Sequence, residues 1–150
     1  METLALSHKQ IVRVEALEAF VNLRKLSLVD NQIVRIEGLG KCKLLEELSL
    51  EKNKISVIEG VSHLRYLKKL DLGGNRIKRI EGLGQLESLT QLSMEDNEIQ
   101  LLDGLDNLQT LMELYMGNNL ISDLKEIIKL KALSRLIILD ISGNSLARGE

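Results

Sequence analysis

Apolar and polar positions along this chain repeat with a period of 22 residues. The copy from Leu67 to Leu83 reads Leu-x-x-Leu-x-Leu-x-x-Asn-x-Ile-x-x-Ile-x-Gly-Leu, and the same frame returns before and after it. Five of its asparagines are spaced by 22 residues and a sixth follows after 25: Asn31, Asn53, Asn75, Asn97, Asn119 and Asn144. Residues 1–22 fit as a degenerate opening copy, with Lys9 where the asparagine belongs. Internal repetition at this period indicates a stacked, solenoid-like array.

The two halves of each copy predict different local structures. In Leu-x-x-Leu-x-Leu the last two leucines alternate with other residues, which predicts a short strand with one buried face. The Ile-x-x-Ile-x-x-Leu half advances in threes, which suits 3₁₀ or irregular turns. Because one copy cannot bury its apolar stripe alone, stacking of the copies would join the stripes into one core.

The repeated asparagine is polar but lies among core positions. Its amide can bond backbone groups left over where each strand turns, in its own copy and in the adjacent one. We therefore interpret the six asparagines as a structural ladder, in preference to a ligand site.

The frame resembles the leucine-rich repeat family and covers the whole chain. The 22-residue length and the Ile-x-x-Ile-x-Gly-Leu half are similar to the class found in eukaryotic phosphatase-regulatory, axonemal or ciliary, and spliceosomal proteins. Bacterial internalins share the length, but usually carry proline where this chain has Gly38, Gly60, Gly82 and Gly104. The resemblance implies an α/β fold: a right-handed horseshoe solenoid with a parallel sheet on its concave side and 3₁₀ or short helices on its convex side.

The 25-residue copy is expected to carry a longer helix. Residues 122–133 have apolar side chains at three- and four-residue spacing, which predicts about two turns of α-helix. Asp123 and Glu126 have the spacing of an amino-terminal capping box. Residues 1–150 are predicted to form one repeat domain of six to seven copies. Family members often continue after the last asparagine with Pro and a Tyr-Arg pair, absent here, so we expect a fragment of a longer protein.

Composition narrows the classes of partner and location. Twenty basic and 22 acidic residues leave a net charge of −2, which does not favour nucleic acid or an anionic membrane. No signal peptide or membrane-spanning run is visible, and the single cysteine, Cys42, cannot form an internal disulfide. We expect an intracellular, cytoplasmic protein, and the resemblance adds the cilium or axoneme and the nucleus as alternatives.

Catalytic and metal-binding signals are weak. The two histidines, His8 and His63, have no partner at a spacing that suggests a triad or a metal site. Cys42 occupies a core position of the repeat, and Gly73-Gly74 lacks the Lys-Ser/Thr of a phosphate loop. We therefore expect no enzyme activity, no cofactor and no metal.

Two charged columns run along the predicted convex side. The acidic one is Glu15, Glu37, Glu59, Glu81 and Asp103. We expect these carboxylates to stabilise the amino ends of short helical turns, with a cation-binding ladder as the alternative. The basic column of Arg13, Arg35 and Arg79 lies two residues before three of these acids and predicts a local ion-pair stripe.

The outward face of the predicted sheet is the best candidate for partner binding, since repeats vary there without structural need. Lys25, Glu47 and Lys69 would touch across strands as an ion ladder. We predict that Tyr115 is the one aromatic residue on the surface and that it anchors an interface. The candidate residues are Lys25, Glu47, Glu51, Lys69, Asp71, Glu95, Glu113, Tyr115 and Asp140. An ordinary solvated sheet face is the alternative.

The sequence therefore predicts a non-enzymatic scaffold that binds another protein through its concave face. The alternatives are a regulatory repeat domain of a larger enzyme or phosphatase-regulatory assembly, and an axonemal or ciliary structural component. The partner's identity does not follow from the residues. A monomer is expected, with weak self-association at the exposed carboxyl-terminal edge of the sheet.

Overall fold

The computed structural model describes residues 1–146 and shows one parallel sheet built in chain order. Its strands are β1 (Thr3–Ala5), β2 (Lys25–Ser27), β3 (Glu47–Ser49), β4 (Lys69–Asp71), β5 (Gln91–Ser93), β6 (Glu113–Tyr115) and β7 (Ile138–Asp140). Each strand pairs in parallel with the next one along the chain. The predicted parallel-sheet solenoid is confirmed.

The strand register places equivalent repeat positions side by side. The central leucines align across the sheet, so that Leu48 lies between Leu26 and Leu70 and faces inward. Between Leu23 and Ile121 the repeated leucines and isoleucines are almost completely buried in one cluster, with Cys42 fully buried among them. Because every copy contributes the same stripe, the core is continuous along the solenoid.

Each copy of the repeat forms one coil of the solenoid. Tight turns carry the chain from each strand to the side opposite the sheet, the convex side, which we call the outer side. The residue before each repeated asparagine has a positive φ, as at Asp30 (56°), Lys52 (57°) and Gly74 (64°). On the outer side single turns close with bonds such as Leu64 N–H to Val61 O at 2.9 Å. These hydrogen bonds between residues three apart agree with the three-residue spacing of apolar positions in this half of the repeat.

The long copy contains a 3₁₀-helix (η1, Leu124–Leu130) and not the α-helix expected over residues 122–133. Asp123 caps it as predicted, since its carboxylate accepts the N–H of Lys125 at 2.9 Å. Glu126 does not complete a capping box. Its carboxylate turns to the preceding coil and accepts the N–H of Leu102 at 2.9 Å. An inter-coil bond of this kind is invisible to a local helical pattern.

The carboxylates of the acidic column accept no backbone N–H among the described residues, so hydrogen bonds to the amino ends of short helical turns are not seen. Two of the acids pair instead with arginines of the preceding copy. Arg13 Nε donates to Glu37 at 3.0 Å, and Arg35 Nε donates to Glu59 at 2.6 Å. The ion-pair stripe therefore runs between coils, and not between neighbours two residues apart in the chain.

Both ends of the solenoid leave repeat positions only partly buried. Leu4 and Leu6 in the first copy and Leu136, Leu139 and Ile141 in the last pack against the core with one side uncovered. An interior coil is covered on two sides by its neighbours, whereas a terminal coil has one neighbour. The final segment, on which the expectation of a missing family cap rests in part, extends into residues 147–150, outside the described residues.

Candidate functional site

The asparagine ladder is built from hydrogen bonds that join each coil to the one before it. The Asn75 Nδ2 group donates to the carbonyl oxygens of Leu50 and Leu72, both at 3.0 Å. Its Oδ1 atom accepts the N–H of Ile55 at 3.0 Å. Equivalent bonds to the coil before are made by Asn31, Asn53, Asn97, Asn119 and Asn144. These amides are occupied by backbone partners, which leaves them little capacity to bind a ligand.

The sheet register brings the predicted binding residues onto one outward face, which we call the concave face. Lys25, Glu47 and Lys69 lie in one row across β2 to β4. Asp71, Tyr115 and Asp140 lie in a second row, and Glu51 and Glu95 follow the ends of β3 and β5. The outward positions were thus readable from the sequence, while their role in binding stays a prediction.

Asp71 has the most perturbed carboxyl group on the concave face. Its pKa is raised to about 7, chiefly by partial burial. The N–H of Gly73, which the carboxylate accepts at 2.9 Å, lowers the pKa but does not outweigh the burial. The nearby Glu51 and Glu95 carboxylates raise the pKa of Asp71 further by repulsion. The pKa of Glu95 is also raised, first by burial and then by the charges of Asp96, Asp140 and Glu51. Negative charge is therefore crowded around the middle of this face.

Tyr115 lies at the carboxyl-terminal side of this acidic region. Its hydroxyl donates to Glu113 Oε1 at 2.5 Å, and this bond is the main reason that the pKa of Tyr115 is raised. The ring is partly buried on the sheet. The bond fixes its orientation beside Asp140 in the neighbouring strand.

The predicted ion ladder is only partly formed. Lys25 Nζ lies 3.1 Å from Glu47 Oε2, whereas Lys69 forms no ion pair with Glu47 among the described residues. The row therefore contains one ion pair, between Lys25 and Glu47. An exposed pair of this kind contributes little to stability.

The prediction that Tyr115 is the one surface aromatic is wrong, because Tyr66 is also at the surface. Tyr66 has 57% of its surface exposed and lies just before β4. The repeat pattern could have revealed it, since Tyr66 shares its column with Asn22, Leu44, Ser88 and Thr110 and not with a buried leucine.

A charged ladder beside the strands was also not predicted from the sequence. Arg24 Nη1 donates to Glu46 at 2.7 Å, and its Nε donates to Glu2 at 3.3 Å. Lys68 Nζ lies 3.2 Å from the same Glu46. These residues immediately precede β1 to β4, and their alternating signs at 22-residue spacing were a visible signal.

The described residues present no metal cluster and no membrane-spanning helix. No group of three or more His, Cys, Asp or Glu side chains within 1–146 could hold a metal ion. His63 Nε2 lies 2.8 Å from Leu39 O, and burial raises the pKa of the Cys42 thiol. Over the same range no helix has the length and apolar content needed to cross a bilayer.

A family model for leucine-rich repeats matches residues 21–77 and 43–99, which together span more than half of the chain. The chain belongs to the leucine-rich repeat family. No curated protein matches it significantly in sequence.

Several solved leucine-rich repeat structures are similar to the chain. An internalin from Listeria monocytogenes is 26% identical with a TM-score of 0.90, over 99% of this chain and 43% of that one. A leucine-rich repeat protein of Leptospira interrogans is 33% identical with a TM-score of 0.79, over 92% of this chain and 36% of that one. TLR13, solved in a complex with ssRNA13, is 25% identical with a TM-score of 0.85, over 94% of this chain and 22% of TLR13.

The leucine-rich repeat chain spans less than half the length of each of these three structures. Two of them are bacterial proteins, and one is an internalin despite the glycines found here in place of the usual proline. The similarity supports the family, while the expected eukaryotic class is not shown by it. Leucine-rich repeat proteins are generally protein-interaction modules.

Proposed function

We propose that this chain is a non-enzymatic protein-interaction module whose concave face binds a basic or amphipathic segment of a partner protein. The observation that carries the proposal is the crowding of carboxylates around Asp71. Burial and, after it, neighbouring carboxylates raise the pKa of both Asp71 and Glu95, and a cationic side chain placed between these two groups would favour their ionised forms.

Tyr115 supplies the apolar contact in this proposal. Its ring is already held by the bond to Glu113, so little side-chain entropy is lost when a partner packs on it. A rigid aromatic next to desolvated polar groups is typical of the residues that dominate binding energy. Glu51, Glu95 and Asp140 would steer a basic segment toward it.

We also infer a location, a repeat class and an oligomeric state for this chain. An intracellular location rests on the lone cysteine, which cannot form an internal disulfide. Membership of the eukaryotic class, with its phosphatase-regulatory, ciliary and spliceosomal alternatives, rests on the 22-residue frame and the glycine before the leucine. We also propose a monomer with weak self-association at the carboxyl-terminal edge, where β7 pairs with no further strand among the described residues.

The test compares Tyr115→Ala with Arg35→Ala, an exposed change on the outer side, using a labelled peptide of alternating Lys and Leu as the first probe. Tyr115→Ala is expected to weaken binding by about 1–3 kcal/mol while the protein stays folded. The association rate should fall with salt. Loss of binding in Arg35→Ala, with full binding in Tyr115→Ala, would move the interface to the outer face.

A further inference from the structure

A second surface, which we call the Tyr66 patch, lies on the flank of the solenoid where the chain enters its strands. Two adjoining recesses share the exposed Tyr66 ring. The charged and aromatic side chains that line them are Arg24, Lys43, His63, Arg65, Tyr66 and Lys68, together with Glu46.

The patch carries an excess of positive charge in a chain whose net charge is −2. Glu46, the acidic residue among those that line the two recesses, accepts from Arg24 at 2.7 Å and lies 3.2 Å from Lys68. Those two contacts lower the pKa of Glu46 and keep it ionised. Arg24 also donates to Glu2 at 3.3 Å. Lys43 and Arg65 form no ion pair within the described range, so their charges face solvent uncompensated.

Nothing in the repeat requires an aromatic residue at this position. The equivalent residues in neighbouring copies are Leu44 and Ser88, and both border the same recess as Tyr66. Tyr66 has 57% of its surface exposed, so its ring contributes little to the core. An exposed ring flanked by cations offers apolar area and charge to one ligand.

We propose that the Tyr66 patch binds a short acidic peptide segment, rich in Asp and Glu or phosphorylated, with an apolar residue packed against the Tyr66 ring. Lys43 and Arg65 occupy equivalent positions in adjacent copies, so they lie side by side on neighbouring coils. Two acidic side chains of one extended peptide could therefore each meet one of them. The guanidinium of Arg65 suits carboxylate and phosphate groups equally.

The distribution of charge favours a short peptide over a nucleic acid. The cationic column changes sign in the next copy, where Glu87 stands at the position of Arg65. The row nearest the patch, Lys25, Glu47 and Lys69, has mixed charge, but farther across the concave face lie the carboxylates around Asp71. A long polyanion that reached them would be repelled. This surface is separate from the concave face, so it does not depend on the function proposed above.

The test titrates a fluorescein-labelled peptide of Asp and Glu with one central Phe into the full chain at low salt, followed by fluorescence anisotropy. Lys43→Gln/Arg65→Gln is expected to weaken binding about fivefold, since each exposed charge pair contributes little. Tyr66→Ser is expected to weaken it about tenfold. Lys78→Gln/Arg79→Gln removes the same charge at two other exposed positions and should change binding less than about twofold.

Further arms define the ligand. A phosphoserine version of the peptide should bind at least as well as the carboxylate version, and a version with Lys in place of the acids should not bind. Tyr115→Ala, on the concave face, should leave binding intact. The proposal is overturned if the acidic peptides do not bind, if the control double variant loses as much affinity as the patch variants, or if single-stranded RNA binds while the peptides do not. Melting curves check that every variant is folded.

Discussion

The Glu126 carboxylate accepts the backbone N–H of Leu102 at 2.9 Å, linking η1 to the coil before it. Glu126 stands 22 residues after Gly104, in the column where the earlier copies have glycine. At Gly104 a Cβ would lie 2.2 Å from the carbonyl oxygen of Ile80, so the repeat there allows no side chain. The longer last copy makes room for one, and Glu126 is buried with a second contact to Lys129 at 2.7 Å.

Glu126→Ala should therefore lower the free energy of unfolding by about 1–3 kcal/mol, because it leaves the buried Leu102 N–H without an acceptor. Glu126→Gln should cost less, since an amide oxygen can still accept that N–H. Chemical denaturation measures both. Glu98→Ala, at an exposed site, is the control, and equal effects of Glu98→Ala and Glu126→Ala would contradict the assignment.

Asn75→Ala should destabilise the protein by about 1–3 kcal/mol, because it removes partners from the backbone of two coils. Asn107→Ala changes an exposed asparagine and should stay within about 0.5 kcal/mol of the wild type. Denaturant titration of the two variants decides the matter. A small effect at Asn75 would show that water replaces its bonds.

Lys52→Gly should raise the stability by about 0.5–1 kcal/mol. Lys52 has a φ of 57°, a conformation that costs a side-chain-bearing residue more than it costs glycine. The equivalent position in the next copy is already Gly74. Lys54→Gly, two residues later and also exposed, should be neutral or destabilising in the same thermal melts. Identical shifts in both variants would count against backbone strain as the cause.

Asp71 should make the protein less stable as the pH rises from about 4 to about 7. Its pKa is raised to about 7 in the folded chain, above the usual value of 3.8, so the folded state holds a proton that the unfolded state has released. The unfolded state binds fewer protons over that interval, and the free energy of unfolding falls as pH increases. Asp71→Asn should flatten this dependence in melts recorded across the interval. An unchanged slope in the variant would assign the effect to other groups.

Ile137→Lys should reduce any concentration-dependent association of the chain. Ile137 is 72% exposed and precedes β7, whose outer edge pairs with no strand among the described residues. Charged residues protect such edges from pairing with a second chain. Light scattering over a concentration series provides the measurement. Val34→Lys, an exposed change far from this edge, should have no effect.

The 22-residue recurrence was enough to predict the solenoid, its repeat length and the identity of its core. Stacking equivalent positions buries every apolar stripe at once, so the strand register from Leu26 to Leu139 followed from the spacing. The inward and outward sides followed from alternation within each strand. The composition of the concave face was therefore known before any coordinates.

Contacts between polar groups of different coils emerged only in three dimensions. The bonds of Glu126 to Leu102 and of Arg35 to Glu59 join residues 24 positions apart, and local patterns had assigned both acids to helix ends. The exposure of Tyr66 and the pKa of Asp71 likewise depend on neighbours from adjacent copies. The burial of apolar residues follows a 22-residue period that can be read directly from the sequence. Charge pairing depends instead on the reach of each side chain and on the small offsets between stacked coils.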